Sequence, residues 1–339
     1  MDIGIIGASG YGGTELLRLL SAHPEASVKI AAAGANAGEQ LATFTPALAG
    51  AYADVVLAPT NPELFDGLDV CFLALPHGAS QALVPDLLDR VGKVIDLAAD
   101  FRFDDESVYA AWYGEEHTQP QLLREFVYAL PEVDRSGLLG ANALAIPGCY
   151  PTAGTLALHP FVAGGVISSD HVIVDAVSGL SGAGRSPSDH LHFAHAHDDV
   201  TAYGLVDHRH TPELERNLGG ATVLFTPHLA PISRGMLATC YARPVDTSFS
   251  TADALALLHE AYDDEPFVHV TSGVPSTKAT LGSNSVHVTA RVDPRTGWLI
   301  AISALDNLGK GAAGAAIQAM NASCGFDETL GLPIAGLYP

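Results

Sequence analysis

Lysine is scarce in this chain. Its 339 residues hold 16 Lys and Arg against 38 Asp and Glu, a formal net charge of −22. The only lysines are Lys29, Lys93, Lys278 and Lys310. No basic face is available to displace phosphate counterions, which excludes nucleic acid as a partner. An acidic surface also repels anionic small molecules at long range, so an anionic substrate needs locally placed arginines. Cysteine is scarce too. Cys71, Cys149, Cys240 and Cys324 lie far apart without CxxC spacing, which argues against a disulfide framework or structural zinc and suits a reducing cytoplasm. No uncharged apolar run reaches roughly 18 residues, so no segment reads as a membrane span. The first residues, Met1-Asp2-Ile3-Gly4, read directly into a strand, with no basic region or signal peptide.

What is present has two textures. Asp2–Ile6 reads as an apolar strand, 7–13 as a glycine-rich turn and 14–20 as an amphipathic helix. Strands at 28–33, 70–75 and 94–97, with a helix near 81–88, continue the alternation that predicts a parallel, helix-covered sheet. After Cys149, strands at 172–177, 222–226, 236–242, 286–292 and 298–304 predict a mostly antiparallel sheet over one helical layer. A late helix follows at 307–320. The predicted fold class is α/β. A Rossmann-type dinucleotide-binding domain takes residues 1–148 and the returning segment 305–339, and an α+β domain takes 149–304.

Two stretches carry chemistry. Pro147-Gly148-Cys149-Tyr150-Pro151-Thr152 places a cysteine where an apolar run meets a helix start, with Pro151 suited to the first helical position. A thiol there lies near unpaired N–H groups and the positive end of the helix dipole, which favours thiolate. The competing reading is a small buried hydrophobe. The other stretch is Gly7-Ala8-Ser9-Gly10-Tyr11-Gly12-Gly13, which follows a strand and opens a helix. Gly7 permits the tight turn, Gly10 lets the backbone approach a pyrophosphate, and Gly13 allows close helix–strand packing. The stretch after the second strand, 31–36, has no carboxylate for ribose hydroxyls. That favours NADP(H), although no arginine stands there to bind a 2′-phosphate. His190, His192, His195 and His197, beside Asp198 and Asp199, lack HExxH spacing and a completing ligand, so no metal is expected.

Further blocks occur in order: Phe72-Leu-Ala-Leu-Pro-His-Gly78, Asp96-Leu-Ala-Ala-Asp-Phe-Arg102, Ser178-Gly-Leu-Ser-Gly-Ala-Gly-Arg185, His208-Arg-His-Thr-Pro-Glu213, Phe225-Thr-Pro-His-Leu-Ala-Pro231 and Leu305-Asp-Asn-Leu-Gly-Lys-Gly-Ala312. Together with the glycine loop and the cysteine block they resemble the N-acetyl-gamma-glutamyl-phosphate reductase family over nearly the whole chain. Its relatives are aspartate-semialdehyde dehydrogenase and, more distantly, glyceraldehyde-3-phosphate dehydrogenase.

The resemblance implies NADPH-dependent reduction of N-acetyl-L-glutamyl 5-phosphate to the 5-semialdehyde, with release of phosphate, in arginine biosynthesis. It implies Cys149 as the nucleophile that forms a thioester, and His210 as acid–base, with His228 as the alternative. Arg102, Arg185 and His208 would bind substrate, Glu213 would contact substrate or orient a histidine, and Arg234 is a weaker candidate. Ser9, Gly10, Tyr11 and Gly12 would face the cofactor phosphates. Ser181 and Gly182, in a flexible loop, and Asn307 would line the nicotinamide. His77 would be structural. The implied partners are an acyl phosphate or semialdehyde, phosphate, and further copies of the chain as a dimer or tetramer. Simpler readings stand beside these: a surface salt bridge from Arg102 to Asp104 or Asp105, a helix N-cap for Asn307, a first-turn glutamate for Glu213. The rival functions are the same chemistry on an aminoadipyl or aspartyl phosphate, a nucleotide-binding sensor without turnover, and, remotely, a zinc-dependent hydrolase.

Overall fold

The computed structural model describes residues 1–338. Two compact units divide the chain: Met1–Pro147 with Ala312–Leu332, and Gly148–Gly311 with the chain from Pro333 on. The break thus falls one residue before the predicted 148/149 boundary. The return to the first unit begins at Ala312 rather than 305, because Asp306 and Asn307 are bonded into the second unit. Asp306 holds Arg234, and Asn307 holds Gly235. The tail also stays with the second unit, where Leu337 N–H donates to Leu281 O at 2.7 Å.

In the first unit, strands β1 (Asp2–Ile6), β2 (Ser27–Ala32), β3 (Val70–Leu73), β4 (Lys93–Asp96), β5 (Val127–Tyr128) and β6 (Ala143–Ala145) form one sheet. Its order is β2-β1-β3-β4-β6-β5, and every neighbouring pair is parallel. β3 and β6 are wholly buried, as strands covered on both faces must be. The strand order reverses at β1, with β2 on one side and β3 on the other. Open parallel sheets bind ligands beyond the carboxyl ends of the strands at such a point. The Gly314–Cys324 helix returns against β4 and the Tyr11–Leu20 helix. Its buried amides are satisfied, with Gln318 Nε2 donating to Glu132 Oε1 at 2.9 Å and Asn321 Oδ1 facing His23 Nε2 at 2.9 Å.

The second unit holds β7 (Val172–Gly179), β8 (Thr201–Ala202), β9 (Val223–Ala230), β10 (Met236–Ala242), β11 (Val268–Val270), β12 (Val286–Val292) and β13 (Leu299–Leu305). The order is β11-β12-β13-β10-β7-β9-β8. β7 runs parallel to β9 and β11 to β12, while the other pairs are antiparallel. The sheet is therefore mixed, because the segments joining those two pairs are long enough to cross over and return in the same direction.

One face of this sheet packs on two helices. Burial alternates along β7 and β10, turning Val172, Val174, Ala176, Met236, Ala238 and Cys240 inward. They meet the Cys149–Ala163 helix, while the Thr251–Tyr262 helix, opened by a Ser250/Asp253 capping box, packs on β11 and β12. The Cys149–Ala163 helix is apolar all round and buried nearly throughout. Pro160 inside it removes the N–H that would bond Leu156 O. The Tyr262 hydroxyl donates to that carbonyl instead, at 2.9 Å. This buried helix presents Cys149 at its start.

Candidate active site

Gly148 has the extended backbone of an N-cap, and Cys149 is the first helical residue. The helix thus begins two residues before the proline predicted to open it. Pro151 takes the third position, where a missing N–H still costs nothing because the first four have no partner within the helix. Thr152 N–H closes the turn on Gly148 O at 2.9 Å. Cys149 is half-buried, whereas Cys71 and Cys240 are sealed in cores where burial pushes their thiols up. Cys324 ends a helix, at the negative pole of its dipole.

The histidine block forms the approach to the Thr211–Asn217 helix, with His210 as its N-cap. Gly154 lets this helix come close to the cysteine helix, since a Cβ there would lie 2.7 Å from Leu214. Glu213, fully buried, accepts the Gly148 N–H at 2.8 Å through Oε1. Tyr150, beside the cysteine, packs its ring on His208, His210 and Phe225, with centroids 5.7, 5.9 and 5.3 Å apart. Its hydroxyl donates to His228 O at 2.9 Å and accepts from Tyr203 at 3.2 Å. One tyrosine therefore borders both histidine candidates. Burial raises the Tyr150 and Tyr203 hydroxyls, Tyr203 to about 12, so both stay protonated.

His208 Nδ1 accepts the His210 backbone N–H at 3.1 Å. Burial, reinforced by Arg209 and opposed by Asp207, lowers its pKa to about 4. The ring is neutral at physiological pH and carries its proton on Nε2, as a donor. His228 lies on β9 with its Nδ1 buried and without a hydrogen-bond partner.

The 178–184 loop, read from sequence as flexible, is tied down. Gly179 and Leu180 N–H donate to Gly235 O and Ile232 O at 2.8 and 2.9 Å. Asn307 Nδ2 donates to Ser181 Oγ at 2.9 Å, and Asn307 Oδ1 accepts Gly235 N–H at 2.7 Å. Gly182 leaves room for Ser178, whose Oγ would lie 2.7 Å from a Cβ there. Asn307 is thus a clamp on this loop, and the cap of the following turn is Asp306 instead. Asp306 Oδ1 takes the Leu308 and Gly309 N–H and the Arg234 guanidinium, and Oδ2 takes Gly282 N–H. Arg234 is held here in an ion pair at 3.0 Å. Residues 309–313 form a π turn, so the predicted 307–320 helix starts later and runs on to Cys324. Within the turn, Gly311 lies against Cys149: a Cβ there would sit 2.8 Å from Cys149 Cβ.

In the first unit the glycine loop separates two kinds of need. Gly7 has φ +90°, and a Cβ would meet Ala74 O. On Gly13 it would meet Gly7 O. Gly10 is different, having only ordinary contacts around a Cβ. Its bareness serves nothing in the chain itself and fits close approach of a diphosphate to the helix N-terminus. Ser9 Oγ accepts from Asn36 Nδ2 at 3.1 Å, joining the loop to the segment after β2. Tyr11 and Gly12 lie at the surface of the loop.

Arg102 is buried, its Nε and Nη2 donating to Ile146 O and Leu97 O at 2.8 and 3.0 Å. It braces the carboxyl ends of β4 and β6 rather than reaching over the surface. Arg185 is exposed, and so are His77, His190, His192, His195 and His197. Among the described residues no group of three or more His, Cys, Asp or Glu could hold a metal ion.

Beside Arg102, Ser80 Oγ lies 2.8 Å from Asp96 Oδ2 and 2.6 Å from Asp100 Oδ2. A hydroxyl has one hydrogen, so one of these contacts needs a protonated carboxyl. Burial and the neighbouring Asp100 push Asp96 up to about 7. The folded chain therefore holds a proton that an unfolded aspartate, with pKa about 3.9, releases. Stability from this group is complete below about pH 4 and is lost as pH rises through about 7. Asp96→Asn keeps a donor towards Ser80 without titrating. Urea unfolding at pH 6 and 8 should show the variant losing less stability across that interval than the wild type. Equal losses would refute a proton on Asp96.

Comparison with known proteins agrees with this architecture. Residues 2–141 match the family model described as semialdehyde dehydrogenase, NAD binding domain, and 149–307 the one described as semialdehyde dehydrogenase, dimerisation domain. Among solved structures, aspartate semialdehyde dehydrogenase II of Vibrio cholerae superposes with a TM-score of 0.69 at 15% identity, covering 95% of this chain and 97% of that one. The Candida albicans enzyme, solved with NADP, gives 0.68 at 17%, covering 95% and 97%. The fold and the paired domains are those of a semialdehyde-dehydrogenase-type oxidoreductase with a nicotinamide-dinucleotide-binding domain.

Closer relatives narrow the class. The N-acetyl-gamma-glutamyl-phosphate reductase of Desulforudis audaxviator is 45% identical over 100% of both chains. That of Saccharopolyspora erythraea is 46% identical over 99% of each, and that of Methanosphaera stadtmanae 43%, over 100% and 99%. The chain belongs to the N-acetyl-gamma-glutamyl-phosphate reductase family, and its role is that of a reductase of arginine biosynthesis. Among the described residues no helix is long and apolar enough to cross a membrane.

Sequence reading missed Tyr150, Tyr203, Asp306 and Gly311. Tyr150, Asp306 and Gly311 stand inside the sequence blocks, but their partners lie far away in sequence. Only the fold pairs them.

Proposed function

We propose that the chain reduces N-acetyl-L-glutamyl 5-phosphate to N-acetyl-L-glutamate 5-semialdehyde with NADPH, releasing phosphate, through a thioester on Cys149. The observation that carries this reading is a half-buried cysteine opening a buried helix, with the His208–Glu213 turn bonded to its N-cap. Cys149 Sγ attacks the acyl carbon, forming the C–S bond as the C–O bond to phosphate breaks. The first-turn N–H groups and the helix dipole stabilise negative charge at the start of this helix. NADPH supplies the hydride that reduces the thioester carbon. The resulting thiohemiacetal collapses as the C–S bond breaks, which restores the thiolate and gives the aldehyde.

His210 is the acid–base group for these oxygen and sulfur protons. His208, kept neutral, donates through Nε2 to substrate. His228 is the alternative base. Arg102, Arg185 and Glu213 were read from sequence as substrate contacts. The backbone bonds of Arg102 favour a bracing role for it, and Arg185 remains the exposed candidate. Ser181 and Asn307 order the loop that would line the nicotinamide. The absence of a carboxylate after β2 favours NADP(H). The chain acts in the cytoplasm as a homodimer or larger homo-oligomer. The other face of the second sheet, where Ile173, Tyr241, Trp298 and Ile300 line a hollow of about 300 Å³, suits that association.

The test runs the reaction backwards, with N-acetylglutamate semialdehyde, NADP and phosphate. Turnover that requires phosphate and prefers NADP to NAD is expected. Faster turnover of aspartate semialdehyde would replace the substrate and leave the chemistry in place.

A further inference from the structure

Glu213 stands at the start of one helix and is bonded to the start of another. Its Oε1 takes the Gly148 N–H at 2.8 Å, across 65 residues of chain. Gly148 is the N-cap of the cysteine helix. In a capping box that N–H would go to a glutamate or glutamine at the third helical position, and the N-cap side chain would answer it. Here the third position is Pro151 and the cap is a glycine, so neither half can form within the helix. Glu213 supplies the missing acceptor from outside. Its own helix begins at His210, with Leu214 N–H closing on His210 O at 3.0 Å. A preference for acidic residues in a first turn would be met equally by an exposed glutamate, and this one is fully buried.

We propose that Glu213 is a positioning residue: its carboxyl oxygen fixes the Pro147–Gly148 peptide, which leads into Cys149, to the His208–His210 turn, so that nucleophile and acid–base group hold one mutual geometry. The inference rests on the reading of Cys149 as nucleophile and adds a residue that acts through it. What matters is the reach of the acceptor rather than its charge. Glu213→Gln keeps an oxygen at the same distance. Glu213→Asp keeps the charge and shortens the side chain by one carbon.

Two readouts on the full-length protein test this. The first is the rate of Cys149 alkylation by iodoacetamide without substrate, followed by mass spectrometry on its peptide. The second is the split of kcat and KM. Alanine and aspartate variants should alkylate several-fold more slowly and lose kcat on the order of 10²-fold, with KM little changed, because misplacement by about 1 Å costs that much. The glutamine variant should recover most of both.

A rise in KM at constant kcat would make Glu213 a substrate contact and overturn the proposal. So would a charge effect, in which alanine and glutamine both speed alkylation by removing an anion near the thiol. If the alanine variant does not fold, the aspartate–glutamine pair decides alone. Alkylation needs no turnover, so failure of the nucleophile reading shows separately, as full activity in Cys149→Ser.

Discussion

Cys149→Ser should lower phosphate-dependent oxidation of N-acetylglutamate semialdehyde on the order of 10⁴-fold or more, or about 5 kcal/mol of transition-state stabilisation. The hydroxyl fits the space and leaves the helix start intact, so folding and dinucleotide binding should be retained. What disappears is the thiolate. A serine hydroxyl has no comparable acidity, and an N-terminal helix position that suffices to favour a thiolate does not ionise an alcohol. Binding of NADPH, followed by fluorescence, should match the wild type while kcat collapses. The other cysteines cannot stand in, since Cys71 and Cys240 are sealed in cores and Cys324 lies at a helix end of the wrong polarity. Activity within tenfold of the wild type would remove Cys149 from the chemistry.

The second large effect is expected at Gly311. Its α-carbon lies in the π turn of residues 309–313, and π turns occur often at functional sites. An added methyl would stand 2.8 Å from Cys149 Cβ and 3.3 Å from Asp306 O. Neither neighbour is the far end of a flexible side chain: one opens a buried helix, and the other is backbone beside the Arg234–Asp306 pair. Gly311→Ala should therefore cost about 1–3 kcal/mol of stability by overpacking. It should also lower kcat on the order of 10²-fold by displacing the thiol. Urea unfolding and steady-state kinetics read the two effects apart. Unchanged kcat with reduced stability would mean that the thiol tolerates the shift, and that Gly311 matters for packing alone.

The alternation of strands and helices was legible because burial on both faces gives β1 and β3 continuous apolar runs. The short strands β5, β8 and β11, of two or three residues, carry too little pattern to be read. The Thr251–Tyr262 helix was missed although Ser250 and Asp253 form its capping box and Ala254, Leu258 and Tyr262 mark one face at a spacing of four. The helix start beside Cys149 was legible from its own neighbours, since a helix start is a local event, although the helix opens two residues before Pro151. Glu213 was placed at the site, but its partner is a backbone N–H 65 residues away, which no side-chain pattern reveals. The cap read for Asn307 falls to Asp306 for a similar reason. Either side chain can cap the turn, and only the position of Gly235 makes Asn307 the clamp. Sequence could not choose between His210 and His228, and in the fold both adjoin Tyr150.

The most direct test is to trap the thioester. Enzyme mixed with N-acetylglutamate semialdehyde and NADP in the absence of phosphate should oxidise about one equivalent and stop, with the acyl group on sulfur. Acid quenching and mass spectrometry should then find an N-acetylglutamyl adduct on the Cys149 peptide, one that phosphate or hydroxylamine discharges. An unmodified Cys149 peptide alongside full stoichiometric formation of NADPH would contradict covalent catalysis by this residue.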